Sequence, residues 1–175
     1  MDKAISPYGL EDSMAVNVAT LPITVGVGAF LVREDTLLVV RKTYGLSKGL
    51  WTIPTGYVEP RESIVRTVER EVKEETNIEG RAGKILAVRN RVTEAANDTF
   101  LIFSMDYVSG EPRPDGVEVS EAAFVPLAEL RSSKDSASFT RAIIPKLTRK
   151  PGLRLDGYAP PPDSTTPPLA YLMFL

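Results

Sequence analysis

Three carboxylates lie close together between residues 60 and 76, at Glu71, Glu74 and Glu75. The spacing of apolar residues in this stretch predicts an amphipathic helix, on which positions i, i+3 and i+4 share one side. On a helical wheel, Glu71 and Glu75 fall beside or within the apolar stripe. That stripe consists of Ile64, Val65, Val68 and Val72. Because burying unpaired carboxylates is costly, the arrangement indicates a bound cation, and a divalent ion that prefers oxygen ligands fits best.

The alternative interpretation is a solvated charged face that is stabilised by ion pairs one helical turn apart. The sequence offers three such pairs, which are Glu62–Arg66, Glu69–Lys73 and Arg70–Glu74. The helix alone leaves both interpretations open, so the choice depends on the residues around it.

The chain of 175 residues contains no cysteine and no histidine. Disulfides, thiol nucleophiles, histidine-based triads and zinc sites built from these residues are therefore excluded. A metal must be held by oxygen atoms, which favours magnesium, manganese or calcium. A general base must be a carboxylate, a lysine or a tyrosine.

Residues 56–78 read GYVEPRESIVRTVEREVKEETNI, and this spacing resembles the box of the Nudix hydrolase family. The family pattern is glycine, five residues, glutamate, seven residues, arginine-glutamate, an apolar residue, one residue, two glutamates, one residue, glycine and an apolar residue. The only departure is Asn77 in place of the last glycine. That position closes the helix in a left-handed conformation, for which asparagine is the usual second choice. Including the lead-in GLWTIPTG, where Thr55 replaces a glycine, and an acidic segment near residue 118, the resemblance covers roughly residues 25–130.

The resemblance implies a role for each matching residue. Glu71, Glu74 and Glu75 would coordinate magnesium, for which manganese can substitute, together with the backbone carbonyl of Thr55. A second set would shape the site: Arg70 would orient Glu71, Glu62 would brace the turn before the helix, and Gly56 would supply a sharp bend. The general base would be Glu118 of the acidic loop, with Glu121 and a box glutamate as alternatives.

The resemblance also implies an activity, which is metal-dependent hydrolysis of a diphosphate linkage in a nucleoside diphosphate compound. ADP-ribose or an ADP-sugar is the first expectation for the substrate. A (deoxy)nucleoside triphosphate, as in enzymes of the MutT type, is the second, and a non-catalytic nucleotide sensor is the third. The isopentenyl diphosphate isomerases share the fold, but their cysteine and histidine are missing here.

Four further residues are the main candidates for binding the substrate. Arg41, Arg89 and Arg91 lie on predicted strands, from which they could reach phosphates, and Lys42, which ends the same strand as Arg41, could also do so. Trp51 could stack on a base. The structural alternatives are exposed strand ends for the arginines and a core position for the tryptophan.

Alternating strand and helix signals position these residues. Strands are predicted at 23–32, 36–41, 84–91, 99–108 and 122–125, with a hairpin between the first two, and helices at 60–76 and 138–147. Gly26 and Gly28 would weaken the first strand unless another group packs closely against them, and Pro145 disfavours the last turn of the second helix. We expect an α/β (α+β) protein with the Nudix fold, in which a mixed sheet is sandwiched between helices.

Composition bounds the remaining expectations. Residues 1–150 are predicted to form one domain and residues 151–175 a proline-rich tail with an apolar end. A net charge of −2 argues against extended nucleic acid as a partner, and the lack of a long apolar run argues against a membrane. A cytoplasmic protein is the simplest interpretation. The apolar end is expected to dock on a second subunit, forming a homodimer, with folding back on its own domain as the alternative.

Overall fold

The computed structural model describes residues 22–156 and 172–175. It has the predicted fold class, a mixed β-sheet with helices on both faces. The strands are β1 (Ile23–Arg33), β2 (Thr36–Lys42), β3 (Trp51–Thr52), β4 (Thr55–Tyr57), β5 (Glu79–Val92), β6 (Asn97–Ser109), β7 (Val119–Pro126), β8 (Leu155–Asp156) and β9 (Met173–Phe174). The helices are α1 (Ile64–Thr76), α2 (Leu127–Ser132) and α3 (Ser138–Leu147). Residues 1–21 of the predicted domain and residues 157–171 of the predicted tail fall outside the described residues.

The central path of the sheet runs β3-β2-β1-β6-β5, with β4 paired to β1 and β7 paired to β2. The predicted β1–β2 hairpin is confirmed, with Val32 opposite Leu37. Strands β1 and β6 pair in parallel, whereas the other pairs in this sheet are antiparallel. A Cβ at either Gly26 or Gly28 would lie 2.8 Å from the ring of Phe100, so the close packing expected at these glycines is present.

The helices cover opposite faces of the sheet. One apolar cluster joins the sheet to α2 and α3 and consists of Phe30, Leu37, Val39, Trp51, Ile53, Leu86, Ile102, Val125, Leu130, Ile143, Ile144 and Leu147. The other joins it to α1 and consists of Val27, Ala29, Leu31, Leu38, Val68, Val72, Ile78, Ile85, Phe103 and Met105. The carboxylates of α1 therefore sit on a helix that is fixed against the sheet by its valines.

The bounds of α1 have local causes. The helix begins at Ile64 rather than at residue 60, because Arg61 has a left-handed φ of 72° and Ser63 caps the first turn by accepting from Arg66 N. At the other end Asn77 adopts the expected left-handed conformation, with φ 61°, and its N–H donates to the carbonyl of Lys73.

Other elements extend or add to the predicted ones. Strands β5 and β6 are longer than predicted, and the short elements β4 and α2 were not predicted from the sequence. Helix α3 keeps its last turn despite Pro145, because Ile144 and Leu147 are buried against the sheet. No helix in the described part of the chain is both long and apolar enough to cross a bilayer.

The end of the chain folds back on its own domain. Strand β9 pairs with β8, and Arg154 and Leu175 exchange two backbone hydrogen bonds of 2.7 and 2.8 Å. The ring of Phe174 meets Phe103 edge-on at 5.8 Å between centroids. The expected docking of this end on a second subunit is thus replaced by the intrachain alternative, while the homodimer itself stays a prediction.

Candidate active site

The carboxylate of Glu71 rests directly on the backbone of β4. A Cβ added at Gly56 would lie 1.8 Å from Glu71 Oε1 and 1.9 Å from its Cδ. The φ angle of Gly56 is not in the left-handed region, so a sharp bend is not the reason for glycine here. Glycine is required at position 56 because any side chain there would occupy the space of the Glu71 carboxylate.

Arg70 donates hydrogen bonds to three carboxylates, those of Glu62, Glu71 and Glu74. It donates to Glu62 through Nε (2.9 Å) and Nη2 (3.0 Å), and to Glu71 (2.8 Å) and Glu74 (2.9 Å) through Nη1. Glu62 also accepts from the hydroxyl of Thr67 at 2.9 Å, which ties the loop before α1 to the helix. These contacts agree with the orienting and bracing roles that the family resemblance implies for Arg70 and Glu62.

Glu75 is buried at the far end of the same helix face, with 2% of its surface exposed. One carboxylate oxygen accepts from Thr55 N at 3.3 Å, and the other pairs with the ammonium of Lys42. Lys42 is 5% exposed and also donates to the carbonyl oxygen of Thr55 at 3.0 Å. The sequence therefore predicted correctly that a carboxylate lies within the buried face, but not that a lysine pairs with it.

Burial and charge set the protonation of these groups. Burial raises the pKa of Glu75 to about 7, although Lys42 works against this increase. Burial also raises the pKa of Glu71, opposed by the charge and hydrogen bond of Arg70. Hydrogen bonds from Arg70 hold the pKa of Glu62 below its usual value. Glu71 and Glu75 thus lie where negative charge is disfavoured unless a cation is close.

The donors of this site fit a divalent metal in their chemistry, since three carboxylates and one carbonyl supply only oxygen. Their arrangement in this structure, however, does not form a metal site. Within residues 22–156 and 172–175, no three acidic side chains converge into a set that could hold one metal ion. The contacts explain this result, because Arg70 engages Glu71 and Glu74 while Lys42 engages Glu75. A metal would have to take the carboxylates from these two cations.

The acidic loop is held beside this site by Tyr44. The phenol of Tyr44 donates to Glu118 Oε2 at 2.9 Å. Burial raises the pKa of Tyr44 to about 12, with further contributions from Glu118, Glu75 and Glu71. Asp115 shapes the loop by accepting from the backbone N–H of Glu118 and of the residues on either side of it. Glu118 is therefore linked to the box through Tyr44, whose ring centroid lies 5.8 Å from the ammonium of Lys42, the partner of Glu75.

Glu121 is engaged elsewhere. It lies opposite Arg41 in the β2–β7 ladder and pairs with Arg41 Nε at 3.4 Å. The guanidinium of Arg41 stacks over the ring of Trp51 at 4.4 Å. Trp51 is buried in the cluster beneath α2 and α3, so it occupies the core position that was the structural alternative. Neither Arg41 nor Trp51 lines the cavity described next, and their contacts with substrate stay predictions.

A cavity of about 460 Å³ begins at the β4 end of this site. Its near end contains Lys42, Tyr44, Thr55 and Gly56. Its remaining wall is contributed by the loop after β2, by β5 and β6, and by the start of α3. The lining residues there include Leu46, Leu50, Tyr57, Arg89, Arg91, Asp98, Phe100 and Phe139. The structure thus brings Arg89 and Arg91, two of the four predicted substrate residues, to the cavity.

Two of the residues at this site, Lys42 and Tyr44, make contacts that were not predicted from the sequence. Lys42 was predicted only as a possible phosphate contact at the end of a strand that points toward the box, and Tyr44 lies in a loop. Their partners are 33 and 74 residues away in the sequence, so no local spacing could have revealed them. The only available signal was a lysine at the end of a strand, β2, whose residues Leu37–Val40 are buried.

The NUDIX domain family matches residues 22–147 of this chain. Among curated relatives, Nudix hydrolase 8 of Arabidopsis thaliana is 34% identical over 124 residues, covering 68% of this chain and 34% of that protein. NAD-capped RNA hydrolase NudC of Photobacterium profundum is 30% identical over 112 residues, covering 64% of this chain and 41% of that protein. The chain therefore spans less than half the length of these relatives.

Solved structures share the fold. The MutT protein from Methanosarcina mazei Go1 superposes with a TM-score of 0.63 at 26% identity, covering 74% of this chain and 96% of that one. The NUDIX domain of Shewanella oneidensis NrtR, in a complex with ADP ribose, superposes with a TM-score of 0.59 over 81% of this chain. Its identity of 18% makes it evidence for the fold alone.

Proposed function

Because the chain belongs to the Nudix hydrolase family, whose members act on phosphoric anhydride bonds, we propose that it cleaves the diphosphate linkage of a nucleoside diphosphate joined to a second group. The family generally uses divalent metal ions and acts on small nucleotide substrates. For this chain we propose magnesium, with manganese as a substitute, and an ADP-ribose-like compound as the first substrate to test.

The observation that carries the proposal is that the carboxylate cluster adjoins the cavity. Thr55 and Gly56 belong to both, since Gly56 packs on Glu71, Thr55 contacts Glu75 and both residues line the cavity. Farther along, the cavity carries Arg89 beside Phe100, with the guanidinium 5.1 Å from the ring centroid. Carboxylates at one end and cationic and aromatic groups beyond suit a ligand that combines a diphosphate with a sugar and a base.

The proposed roles follow the family resemblance. Glu71, Glu74, Glu75 and the carbonyl of Thr55 would hold the metal. When bound, a divalent metal offsets the charge of the diphosphate and lowers the pKa of a coordinated water. Arg70 acts as a positioning residue, because it contacts Glu71 and Glu74 at the same time.

The base completes the reaction. We propose that Glu118 accepts a proton from the attacking water while the oxygen of that water bonds to phosphorus. The anhydride P–O bond then breaks, and the second phosphate leaves with the bonding electron pair. Glu118 is favoured over Glu121, because Glu121 pairs with Arg41, whereas Glu118 contacts Tyr44 and is linked through it to the box. A box glutamate is the other candidate.

The matches to proteins called MutT favour a second substrate class, the (deoxy)nucleoside triphosphates. The two classes give different products. A nucleoside diphosphate sugar yields a nucleoside monophosphate and a sugar phosphate, whereas a triphosphate cleaved between its α and β phosphorus atoms yields inorganic pyrophosphate.

The test is a panel of nucleotides incubated with purified protein and magnesium, with products separated by chromatography. We expect cleavage of ADP-ribose or a related compound, none in EDTA, and a fall in kcat of roughly 10²-fold or more for Glu75→Gln, since a group that stabilises the transition state is lost. Glu129→Gln, on the exposed side of α2, is the matched control and should keep full activity. Binding without turnover across the panel would indicate a sensor, and half the wild-type rate in Glu75→Gln would disprove the ligand assignment.

The base is tested separately. Glu118→Gln should lower kcat strongly while the affinity for substrate changes little, as expected for a group that acts in the transition state. Glu121→Gln is its control. If the loss appeared in Glu121→Gln instead, the assignment of Glu118 would be wrong.

A further inference from the structure

Lys42 stands out because its ammonium is buried against two groups that the proposed function assigns to the metal. It contacts the carbonyl oxygen of Thr55 and a carboxylate oxygen of Glu75. Lysines are seldom buried this completely, and this one is neutralised by a glutamate that is itself buried. The pair is thus a buried ion pair rather than a surface one.

We propose that Lys42 is an internal cation that holds these two oxygen ligands in the metal-free protein and leaves them when the metal binds. The proposal rests on the proposed function, because the metal site is formed by Glu71, Glu74, Glu75 and Thr55.

Competition follows from the chemistry of the shared oxygens. An ammonium group and a divalent metal both require the lone pairs of Thr55 O and Glu75, and a metal binds such oxygens at roughly 2.0–2.6 Å. Two cations on the same oxygens would also repel each other strongly in a site shielded from water. Metal binding therefore requires the ammonium of Lys42 to withdraw.

The cavity provides space into which the side chain of Lys42 can move. Lys42 is one of the residues that line the cavity, and its Nζ lies 5.8 Å from the ring centroid of Tyr44, another lining residue. A bulge in the β2–β7 ladder lies between Arg41 and Lys42, so the backbone here departs from regular pairing. The flexible four-carbon stem of a lysine can swing its ammonium from Glu75 into the cavity without moving the strand.

The first test measures Mn²⁺ binding by calorimetry in the absence of substrate. Lys42→Met keeps most of the apolar stem and removes the charge, so we expect it to bind Mn²⁺ about tenfold more tightly than the wild type, which corresponds to about 1.4 kcal/mol. Lys48→Met, in the exposed loop between β2 and β3, is the matched control and should bind like the wild type. Weaker or unchanged binding by Lys42→Met would overturn the proposal.

The second test uses the wild-type chain, so it remains decisive if Lys42→Met fails to fold. Lysines are acetylated in EDTA and in saturating Mg²⁺, and the modification of Lys42 and Lys48 is followed by mass spectrometry. We expect Lys42 to be protected in EDTA and to react at a rate approaching that of Lys48 in Mg²⁺. Continued protection in Mg²⁺ would show that the ammonium does not leave.

The two proposals fail in different ways. If neither the wild type nor Lys42→Met binds Mn²⁺, the metal site is absent and the proposed function falls with it. If both bind Mn²⁺ equally and the wild type hydrolyses nucleotides, only the role of Lys42 is wrong.

Discussion

Replacing Gly56 with alanine should displace Glu71, because the new methyl group would occupy the place of the carboxylate. The added Cβ would lie 1.8 Å from Glu71 Oε1, and ordinary contact begins at 3.4 Å, so the oxygen must retreat by about 1.6 Å. Overpacking of this kind costs about 1–3 kcal/mol in the free energy of unfolding. A misplacement of 1 Å at a catalytic site can cost about 10²-fold in rate, so we expect kcat to fall by at least that factor.

A double-mutant cycle separates the clash from other effects of the substitution. In a Glu71→Ala background the methyl group meets no carboxylate, so Gly56→Ala should then change the free energy of unfolding by less than about 0.5 kcal/mol. Urea unfolding of the four proteins gives the coupling energy directly. Gly80→Ala is the control, because its Cβ would approach nothing more closely than the flexible end of Met105, at 3.2 Å, with Leu31 and Val72 at ordinary contact distances of 3.4 and 3.5 Å. An equal cost of Gly56→Ala in both backgrounds would refute the packing of Glu71 on Gly56.

Four further predictions test the cap, the tyrosine, the chain end and the oligomeric state. Asn77→Ala should lower the free energy of unfolding by about 1 kcal/mol, because φ is 61° there, whereas Asn77→Gly should be nearly neutral; urea unfolding decides. The pKa of Tyr44 is raised from 10.0 to about 12, so the unfolded chain loses this proton at a lower pH than the folded protein does. The free energy of unfolding should therefore fall as the pH rises from 10 to 12. Tyr44→Phe should reduce that fall, which unfolding curves at alkaline pH would measure. Deleting residues 172–175 should lower the Tm by several degrees, because β9 and the Phe174 ring contact are lost. Light scattering with and without residues 160–175 tests the homodimer, and a full-length monomer would rule it out.

Local periodicity was enough to predict the helical part of the site. The spacing of Glu71, Glu74 and Glu75 against a valine stripe depends only on 3.6 residues per turn, so the burial of Glu75 followed once the stripe packed on the sheet. The left-handed conformation at Asn77 was predicted for the same reason, since a helix end is a local event. The helix start was predicted less well, because Pro60 suits a first turn but the backbone at Arg61 is left-handed.

Tertiary structure alone decided what surrounds those carboxylates. The pairing of β2 with β7 places Glu121 beside Arg41, whereas Tyr44 and Asp115 hold Glu118, although both glutamates look equivalent in the sequence. Such register depends on strands that are distant along the chain, so no short pattern specifies it.

The same holds for the two cations that engage the box. Arg70 lies one residue before Glu71, and the sequence alone was enough to assign it a role. Lys42 reaches Glu75 across 33 residues, and only the packing of α1 against the end of β2 brings the two together. The sequence by itself thus determined that the three carboxylates share one side of a helix, because helical spacing is local, whereas the tertiary structure decided which cation of the protein meets them.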